Sequence, residues 1–206
     1  LSRLYIPNSG DIRFAGQTIL DTAPHKIADI GIGRTFQNLA LFGTMSVLDN
    51  VMVGGHSQSS SDFFSNALRL PWVKAEEDDL AETSWDLIEY LDLMDVAYTP
   101  VADLPFGTQK RVELARALAS KPKLLLLDEP AGGLNHDEVD DLGALIKQIR
   151  DDRGITVLLV EHHMSLVMAV SDHVVAIDFG RKIGEGTPSE VQQNPEVIRA
   201  YLGTSD

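Results

Sequence analysis

The 206-residue sequence contains no cysteine, so disulfide bonds are excluded, and the absence suits a reducing cytosol. Basic residues are scarce: 17 lysines and arginines stand against 31 aspartates and glutamates, which gives a formal net charge of −14. This excess of negative charge opposes attraction to a phosphate backbone, so we expect no nucleic-acid partner. Small anions such as nucleotides remain possible ligands where local backbone dipoles receive them.

Long apolar runs are also absent. No stretch approaches the roughly 20 apolar residues that a membrane-spanning helix needs, and the start lacks the basic and apolar segments of an export signal. With 44% hydrophobic and 23% charged residues, the composition is that of a globular protein. The length fits one domain over residues 1–206.

The first half of the chain predicts a hairpin followed by a helical insert. Polar and apolar residues alternate around Ala15-Gly16, which is typical of an antiparallel hairpin. A short helix over 22–30 and a short strand in "IGRTFQ" follow. Ser46 and Asp49 form a capping pair at the start of a helix, and a longer helical region covers 74–96. We therefore expect an all-helical subdomain over roughly residues 43–119.

The second half of the chain alternates strands and helices. Helices are predicted over 109–119, 137–149 and 164–170, and apolar strands over 124–127 and 155–160. Such alternation is the pattern of a parallel sheet with crossover helices. A closing hairpin flanks Phe179-Gly180, and a capping box opens at Thr187. The predicted fold class is α/β, with a mostly parallel core sheet and an antiparallel N-terminal hairpin.

Two acids, Asp128 and Glu129, directly follow a strand of four leucines. In open α/β sheets, ligands bind beyond the carboxyl ends of the strands. Adjacent ionised carboxylates repel each other unless cations or donors offset them, so the pair suits a site that holds a metal and handles a proton. The plainer alternative is that the two acids cap the loop and solvate the strand end.

Four stretches in a fixed order carry a resemblance to a known family. They are Gln37 after a strand, then "LPFGTQKRVELARAL", "LLLLDEP" and "VLLVEHH". Together they resemble the ABC-type ATPases, which have a P-loop NTPase-like fold, and the likeness covers essentially the whole chain. The segments "GIGRTFQNLALFGTMSVLDNV" and "DEPAGGLN" look most like the ATP-binding subunits of branched-chain (hydrophobic) amino-acid importers. The resemblance implies ATP and Mg²⁺ as cofactors.

The resemblance also implies roles for the acids and for two residues elsewhere in the chain. Asp128 holds Mg²⁺ through its water shell, Glu129 polarises the attacking water, and Gln37 joins the metal shell while its loop contacts a membrane partner. His162 matches the switch histidine that touches the γ-phosphate, and His163 is the adjacent alternative. A lone histidine in a loop is more often simply exposed, so the role of His162 depends on its place after a strand.

The segment from Leu104 to Gln109 departs from the family's Leu-Ser-Gly-Gly-Gln signature, because it begins Leu-Pro-Phe-Gly-Thr. The signature aims backbone N–H groups at a helix N-terminus toward the γ-phosphate bound on the opposite subunit. Gly107 preserves that effect, whereas Pro105 supplies neither a hydroxyl nor an N–H. The resemblance implies a modified nucleotide contact made by Leu104, Phe106, Gly107, Thr108 and Gln109.

Asn135 has two compatible interpretations. By resemblance it belongs, with Gly132, Gly133 and Leu134, to a loop that crosses to the nucleotide of a second ATPase subunit. It is also the N-cap of a helix, with Glu138 three residues further on.

The phosphate-binding pattern Gly-x-x-x-x-Gly-Lys-Ser/Thr does not occur in these 206 residues. In the family it precedes the segment that resembles residues 1–5, so we expect a sequence that begins just after it. The loss of one preorganised donor costs about 10²–10³ in rate, and the loss of several amides with a lysine should leave negligible turnover. We expect this chain to show no MgATP binding in calorimetry at millimolar nucleotide.

Two functions therefore stay open for the sequence. The first is a motor subunit that couples ATP hydrolysis to amino-acid uptake. The second is a non-catalytic interaction module that docks a permease or a partner ATPase, and the codons before Leu1 distinguish the two. A soluble ABC ATPase of DNA repair or translation is disfavoured by the acidic balance and the short insert.

The resemblance implies partners and a location as well. The partners are a second ABC ATPase subunit and permease subunits, which contact the loop at Gln37 and the helical subdomain. The second ATPase is identical or a sister, and the altered signature favours a sister. An extracytoplasmic solute-binding protein is linked only indirectly. The expected location is peripheral, at the cytoplasmic face of the cell membrane.

Overall fold

The computed structural model describes residues 1–3, 5–35, 39–56 and 71–202, and only the backbone at 71–74 and 202. The chain divides into two compact units. The first consists of Leu1–Pro130 and Arg153–Val160, and the second of Ala131–Asp152 and Glu161–Asp206. The single domain over 1–206 and the helical subdomain over 43–119 stay predictions.

The N-terminal hairpin forms as predicted. Strands β1 (Arg13–Phe14) and β2 (Gln17–Thr18) are antiparallel, with Arg13 opposite Thr18. The two turn residues, Ala15 and Gly16, have φ of 50° and 81°. Glycine adopts such a φ without steric cost, which is why Gly16 suits this turn.

The helix predicted over 22–30 is reduced to one 3₁₀ turn, Pro24–Lys26. The N–H of Lys26 donates to the carbonyl of Ala23, and that of Ile27 to Pro24, so the bonds close over three residues. A segment this short does not recover the cost of nucleating an α-helix, and a 3₁₀ turn satisfies its donors instead.

The predicted parallel sheet is present in the first unit. It contains β3 (Ile32–Arg34), β4 (Leu124–Asp128) and β5 (Thr156–Val160) in the order β3-β4-β5. Leu125 and Leu127 are each 1% exposed, so the leucine strand is a core strand. One buried cluster under the sheet contains Ile19, Ile27, Ile32 and Leu126. The register places Asp128, the last residue of β4, opposite Val160.

Three helices complete the first unit: α1 (Val47–Gly55), α2 (Pro71–Tyr90) and α3 (Phe106–Leu118). The predicted capping box at Ser46 and Asp49 is present at the start of α1. Helix α1 packs against both α2 and α3. A Cβ at Gly54 would overlap the carbonyl oxygen of Arg116, so the close approach of α1 to α3 requires glycine there. Short 3₁₀ turns, Met94–Val96 and Val101–Asp103, connect α2 to α3.

The second unit is built around a second hairpin. Helix α4 (His136–Arg153) begins in this unit, and α5 (Met164–Val170) precedes the antiparallel strands β6 (Val174–Asp178) and β7 (Arg181–Gly186). The chain continues through α6 (Pro188–Gln192), α7 (Pro195–Val197) and a π-helical turn, Ile198–Leu202. Ala176, Val191 and Val197 form the buried cluster that joins hairpin and helices.

The α/β fold class is confirmed, with its parallel sheet, antiparallel hairpins and inserted helices. Among the helices of the described ranges, none has the combination of length and apolarity that crossing a membrane demands.

Candidate functional site

Asp128 lies at the carboxyl end of β4 and pairs with a cation. Its Oδ2 accepts a hydrogen bond from Nη2 of Arg34 at 3.0 Å, and the two side chains are 34% and 27% exposed respectively. Nη1 of Arg34 also donates to the hydroxyl of Ser2 at 2.7 Å. Sequence analysis did not identify Arg34 as part of this site. The feature that could have indicated it is its position as a charged residue at the end of β3, the strand beside β4. The guanidinium offsets the charge of Asp128.

Glu129 turns the backbone sharply out of the strand. Its φ is 47°, in the left-handed region that a residue with a side chain seldom adopts. Its N–H donates to the carbonyl of Val160 at 2.9 Å, which extends the β4–β5 ladder by one bond. Strained backbone of this kind costs about 1–3 kcal/mol and persists where surrounding contacts impose it, often at functional sites.

The donors at this strand end fit a magnesium ion. Mg²⁺ prefers hard oxygen ligands, uses one or two carboxylates and keeps several waters. Asp128 and Glu129 supply adjacent carboxylates, and neither side chain is fully buried, so water has access. Gln37, the other predicted metal ligand, lies outside the described residues.

The modified signature forms the first turn of α3. Pro105 is the N-cap and makes no side-chain capping bond, and Phe106, Gly107 and Thr108 follow as the first helical residues. Backbone N–H groups of a first helical turn have no acceptor within the helix. Gln109 stabilises the turn, because its Nε2 donates to the carbonyl of Leu104 at 2.9 Å. The helix begins three residues before its predicted start.

Two side chains anchor this turn to the core. Leu104 is 8% exposed, so its side chain is a core element. Lys110 is 5% exposed, with its Nζ 3.8 Å from Oε2 of Glu113 and 5.5 Å from the centre of the Phe106 ring. Phe106, another residue predicted to contact the nucleotide, is 43% exposed. The buried side chains of Leu104 and Lys110 therefore fix the first turn of α3 to the core.

Asn135 begins α4 in the second unit as a capping residue. Its Oδ1 accepts from the N–H of Glu138 at 3.0 Å, and its own N–H donates to Oε2 of Glu138 at 2.9 Å. The preceding Gly133 has φ of 84°, a conformation that favours glycine. The predicted capping role is confirmed, and the predicted contact with a partner's nucleotide stays a prediction.

His162 lies in the second unit beside His163. Its side chain is 61% exposed, and the two ring centres are 4.7 Å apart. Nδ1 of His163 is 3.2 Å from Oε2 of Glu161, and Nδ1 of His162 is 3.8 Å from the same oxygen. Both imidazoles are thus gathered around one carboxylate.

Glu161 is the buried anchor of this segment, and sequence analysis did not identify it. Its side chain has no exposed surface. Oε1 accepts the N–H of Ala131 at 2.9 Å, and Oε2 accepts the N–H groups of His162 and His163 at 2.8 and 3.1 Å. Burial alone raises the pKa of Glu161, but these hydrogen bonds and one from the His163 ring together lower it below its usual value. The available signal was the acid in "VLLVEHH".

The structure therefore groups the predicted residues in two places. In the first unit, Asp128 and Glu129 lie at the end of β4 and the modified signature at the start of α3. In the second unit, Asn135 caps α4 and His162 follows Glu161.

Comparison with known proteins places the chain in a family. A family model described as "ABC transporter" matches residues 1–132, and one described as "Branched-chain amino acid ATP-binding cassette transporter" matches residues 181–206. The chain is 41% identical over 203 residues to the high-affinity branched-chain amino acid transport ATP-binding protein BraF of Pseudomonas aeruginosa. It is 36% identical over 203 residues to the corresponding protein LivG of Escherichia coli. Each match covers 98% of this chain and 80% of the relative.

Solved structures agree with this assignment. A nucleotide-free ATP-binding cassette from an ABC transporter is similar with a TM-score of 0.78 and 25% identity, over 98% of this chain and 80% of the other. A second ATP-binding cassette of an ABC transporter, in its ADP conformation, has a TM-score of 0.78 and 28% identity, over 95% and 78%. The chain belongs to the ATP-binding proteins of ABC transporters, in their branched-chain amino-acid group.

Proposed function

We propose that the chain is the ATP-hydrolysing subunit of an importer for branched-chain amino acids. The observation that carries the proposal is the acid pair at the carboxyl end of β4, with Asp128 paired to Arg34 and Glu129 in a left-handed conformation. The cargo is inferred from relatives whose names specify branched-chain amino acid transport.

In this proposal the chain's own residues position a water and a triphosphate. Asp128 and Gln37 would hold Mg²⁺, which would neutralise charge on the phosphate oxygens. Glu129 orients the attacking water and accepts its proton. The hydrogen bond from its N–H to Val160 supports this role, because it fixes the backbone from which the carboxylate extends. Placement of this kind matters since phosphoryl transfer depends on positioning more than on covalent help.

His162 acts in the proposal as the contact to the γ-phosphate. Its side chain is 61% exposed, and its backbone N–H donates to the buried carboxylate of Glu161. The first turn of α3 presents its N–H groups to the nucleotide of the opposite subunit. The loop before α4, with Asn135, extends toward that same neighbour.

The proposed assembly contains a second ABC ATPase subunit, identical or a sister, and membrane permeases. Permeases contact the loop at Gln37 and the helical subdomain, and through them the chain is linked to a solute-binding protein. The chain is peripheral at the cytoplasmic face of the membrane. Relatives named as transport ATP-binding proteins support this arrangement.

We further propose that these 206 residues alone do not turn over ATP. The support is the absence from the sequence of Gly-x-x-x-x-Gly-Lys-Ser/Thr, whose amides and lysine grip the phosphates. The test of function therefore uses a transporter assembly whose ATPase subunits contain both this pattern and the present sequence, together with its permeases.

The test is Glu129→Gln in that assembly. Because the amide cannot accept the proton of water, we expect ATP to stay bound while hydrolysis falls by about 10²–10⁴. ATP retention is measured by filter binding and turnover by phosphate release. Glu196→Gln is the matched control, because Glu196 is an exposed acid near the C-terminus. Near-normal hydrolysis by Glu129→Gln would remove Glu129 from the proposed role.

A further inference from the structure

A cluster of two imidazoles and one carboxylate follows β5. Glu161, His162 and His163 each offer one ligand atom, and these atoms all lie within 4.8 Å of one another. Across the ranges that the structure describes, this is the one such group of histidines and acids that could hold a metal. We infer that the cluster binds Zn²⁺, or a divalent transition metal of the same ligand preference.

The distance between Glu161 and His163 matches the ligand spacing that zinc requires, and that between Glu161 and His162 is somewhat longer. Zinc bonds to nitrogen and oxygen are about 2.0–2.1 Å, so neighbouring ligands of a tetrahedral site lie about 3.3 Å apart. Nδ1 of His163 is 3.2 Å from Oε2 of Glu161, and Nδ1 of His162 is 3.8 Å from it. Zinc binding therefore requires a movement of the His162 side chain, which is 61% exposed. The metal then takes the place of the proton between the His163 ring and the carboxylate.

The ligand types select zinc over magnesium. Imidazole is a ligand of choice for Zn²⁺, Cu²⁺ and Ni²⁺, whereas Mg²⁺ prefers oxygen ligands alone. The cluster supplies two nitrogens and one oxygen, which leaves a fourth position for water. It therefore differs in chemistry from the two carboxylates at the end of β4.

The carboxylate of Glu161 is also oriented by hydrogen bonds, as metal ligands in proteins commonly are. The N–H of Ala131 binds Oε1 at 2.9 Å, and the N–H groups of the two histidines bind Oε2. Such supporting bonds orient a metal ligand and cost affinity when they are lost. The two rings, 61% and 38% exposed, give a metal access from solvent to the buried oxygen.

One consequence rests on the proposed function. If His162 contacts the γ-phosphate, Zn²⁺ bound to its ring would prevent that contact. Micromolar zinc would then inhibit ATP hydrolysis by the assembly. The binding itself does not depend on this consequence and is measured without nucleotide.

The experiment is a zinc titration of the chain against a chromophoric chelator, in excess Mg²⁺. We expect one Zn²⁺ per chain, and a loss of affinity of at least about tenfold in His162→Asn and in His163→Asn. The matched control is His173→Asn, because His173 also lies 3.3 Å from a carboxylate, that of Glu185, but among the described residues its ring belongs to no such three-membered cluster. The control should bind zinc as the unsubstituted chain does.

Two results would overturn the inference. One is equal zinc affinity in the unsubstituted chain and in the double variant His162→Asn, His163→Asn. The other is an equal loss in His173→Asn, which would indicate scattered binding to surface imidazoles. Circular dichroism checks the fold of each variant, and if the double variant unfolds, NMR of the unsubstituted chain replaces it. Zinc must then change the chemical shifts of the ring protons of His162 and His163 and leave those of His173 unchanged. Equal changes at all three rings would contradict the proposed site.

Discussion

Two strands of the same parallel sheet are followed by acids with opposite environments. At the end of β4, Asp128 is 34% exposed and shares an ion pair with Arg34. After β5, the side chain of Glu161 has no exposed surface and accepts three backbone N–H groups. The first carboxylate can exchange its partner for a ligand at small cost, whereas the second stabilises the loop around it. Acids at similar sequence positions thus differ in accessibility: the carboxylate of Asp128 is partly exposed and that of Glu161 is buried.

The largest predicted effect is the loss of that anchor. Glu161→Ala leaves three backbone donors without their acceptor, and a buried donor left unsatisfied costs about 1–3 kcal/mol. We expect a decrease of about 3 kcal/mol in the free energy of unfolding, because Ala131, one of the three donors, is fully buried. Urea unfolding followed by circular dichroism measures it, with the exposed Glu196→Ala as control. If the free energy of unfolding decreases by less than about 1 kcal/mol, Glu161 does not stabilise the loop around it as proposed.

A smaller effect follows from the lowered pKa of Glu161 relative to its usual value of 4.5. A group whose pKa is lower in the folded state stabilises that state above the unfolded pKa, and the stabilisation is lost as pH falls through the folded pKa. We expect the stability gap between the unsubstituted chain and Glu161→Gln to be constant from pH 7 to about 5 and to narrow toward pH 3. The free energy of unfolding, measured across this range, tests the sign. A gap that widens in acid would contradict it.

The smallest predicted effect concerns the exposed pair. A double-mutant cycle on Arg34→Ala and Asp128→Ala should give a coupling of about 0.5 kcal/mol, because solvent screens partly exposed ion pairs. Salt at 1 M should reduce the coupling further. The same urea unfolding experiment measures all four proteins. A coupling above about 2 kcal/mol would show that the ion pair with Arg34 contributes strongly to stability. Asp128 would then be a structural residue, as Glu161 is.

Local signals in the sequence predicted much of the fold. The capping boxes at Ser46, Thr187 and Asn135 and both hairpins are present where expected, and α5 has its predicted bounds. Each of these depends on bonds between residues a few positions apart, so the information is contained in a short window. The family resemblance, carried by ordered motifs, was confirmed by the comparisons.

Sequence analysis failed at the bounds of two helices and at one long-range ion pair. It predicted a helix over 22–30, although only Pro24–Lys26 closes as a turn. It placed the start of α3 at Gln109, whereas the helix begins at Phe106, with Nε2 of Gln109 bonded to the carbonyl of Leu104. It also missed Arg34, whose ion pair with Asp128 spans 94 positions in the chain.

The sequence by itself determined the family, the order of strands and helices, and the adjacency of Asp128 to Glu129, because motifs and caps are local properties of the chain. Only the tertiary structure decided which acids are accessible. The exposure of Asp128 and the burial of Glu161 depend on β-sheet register and on donors such as Ala131, thirty positions from the carboxylate it binds. Burial and hydrogen bonding arise from packing between distant segments, and they set the charge and the availability of each carboxylate.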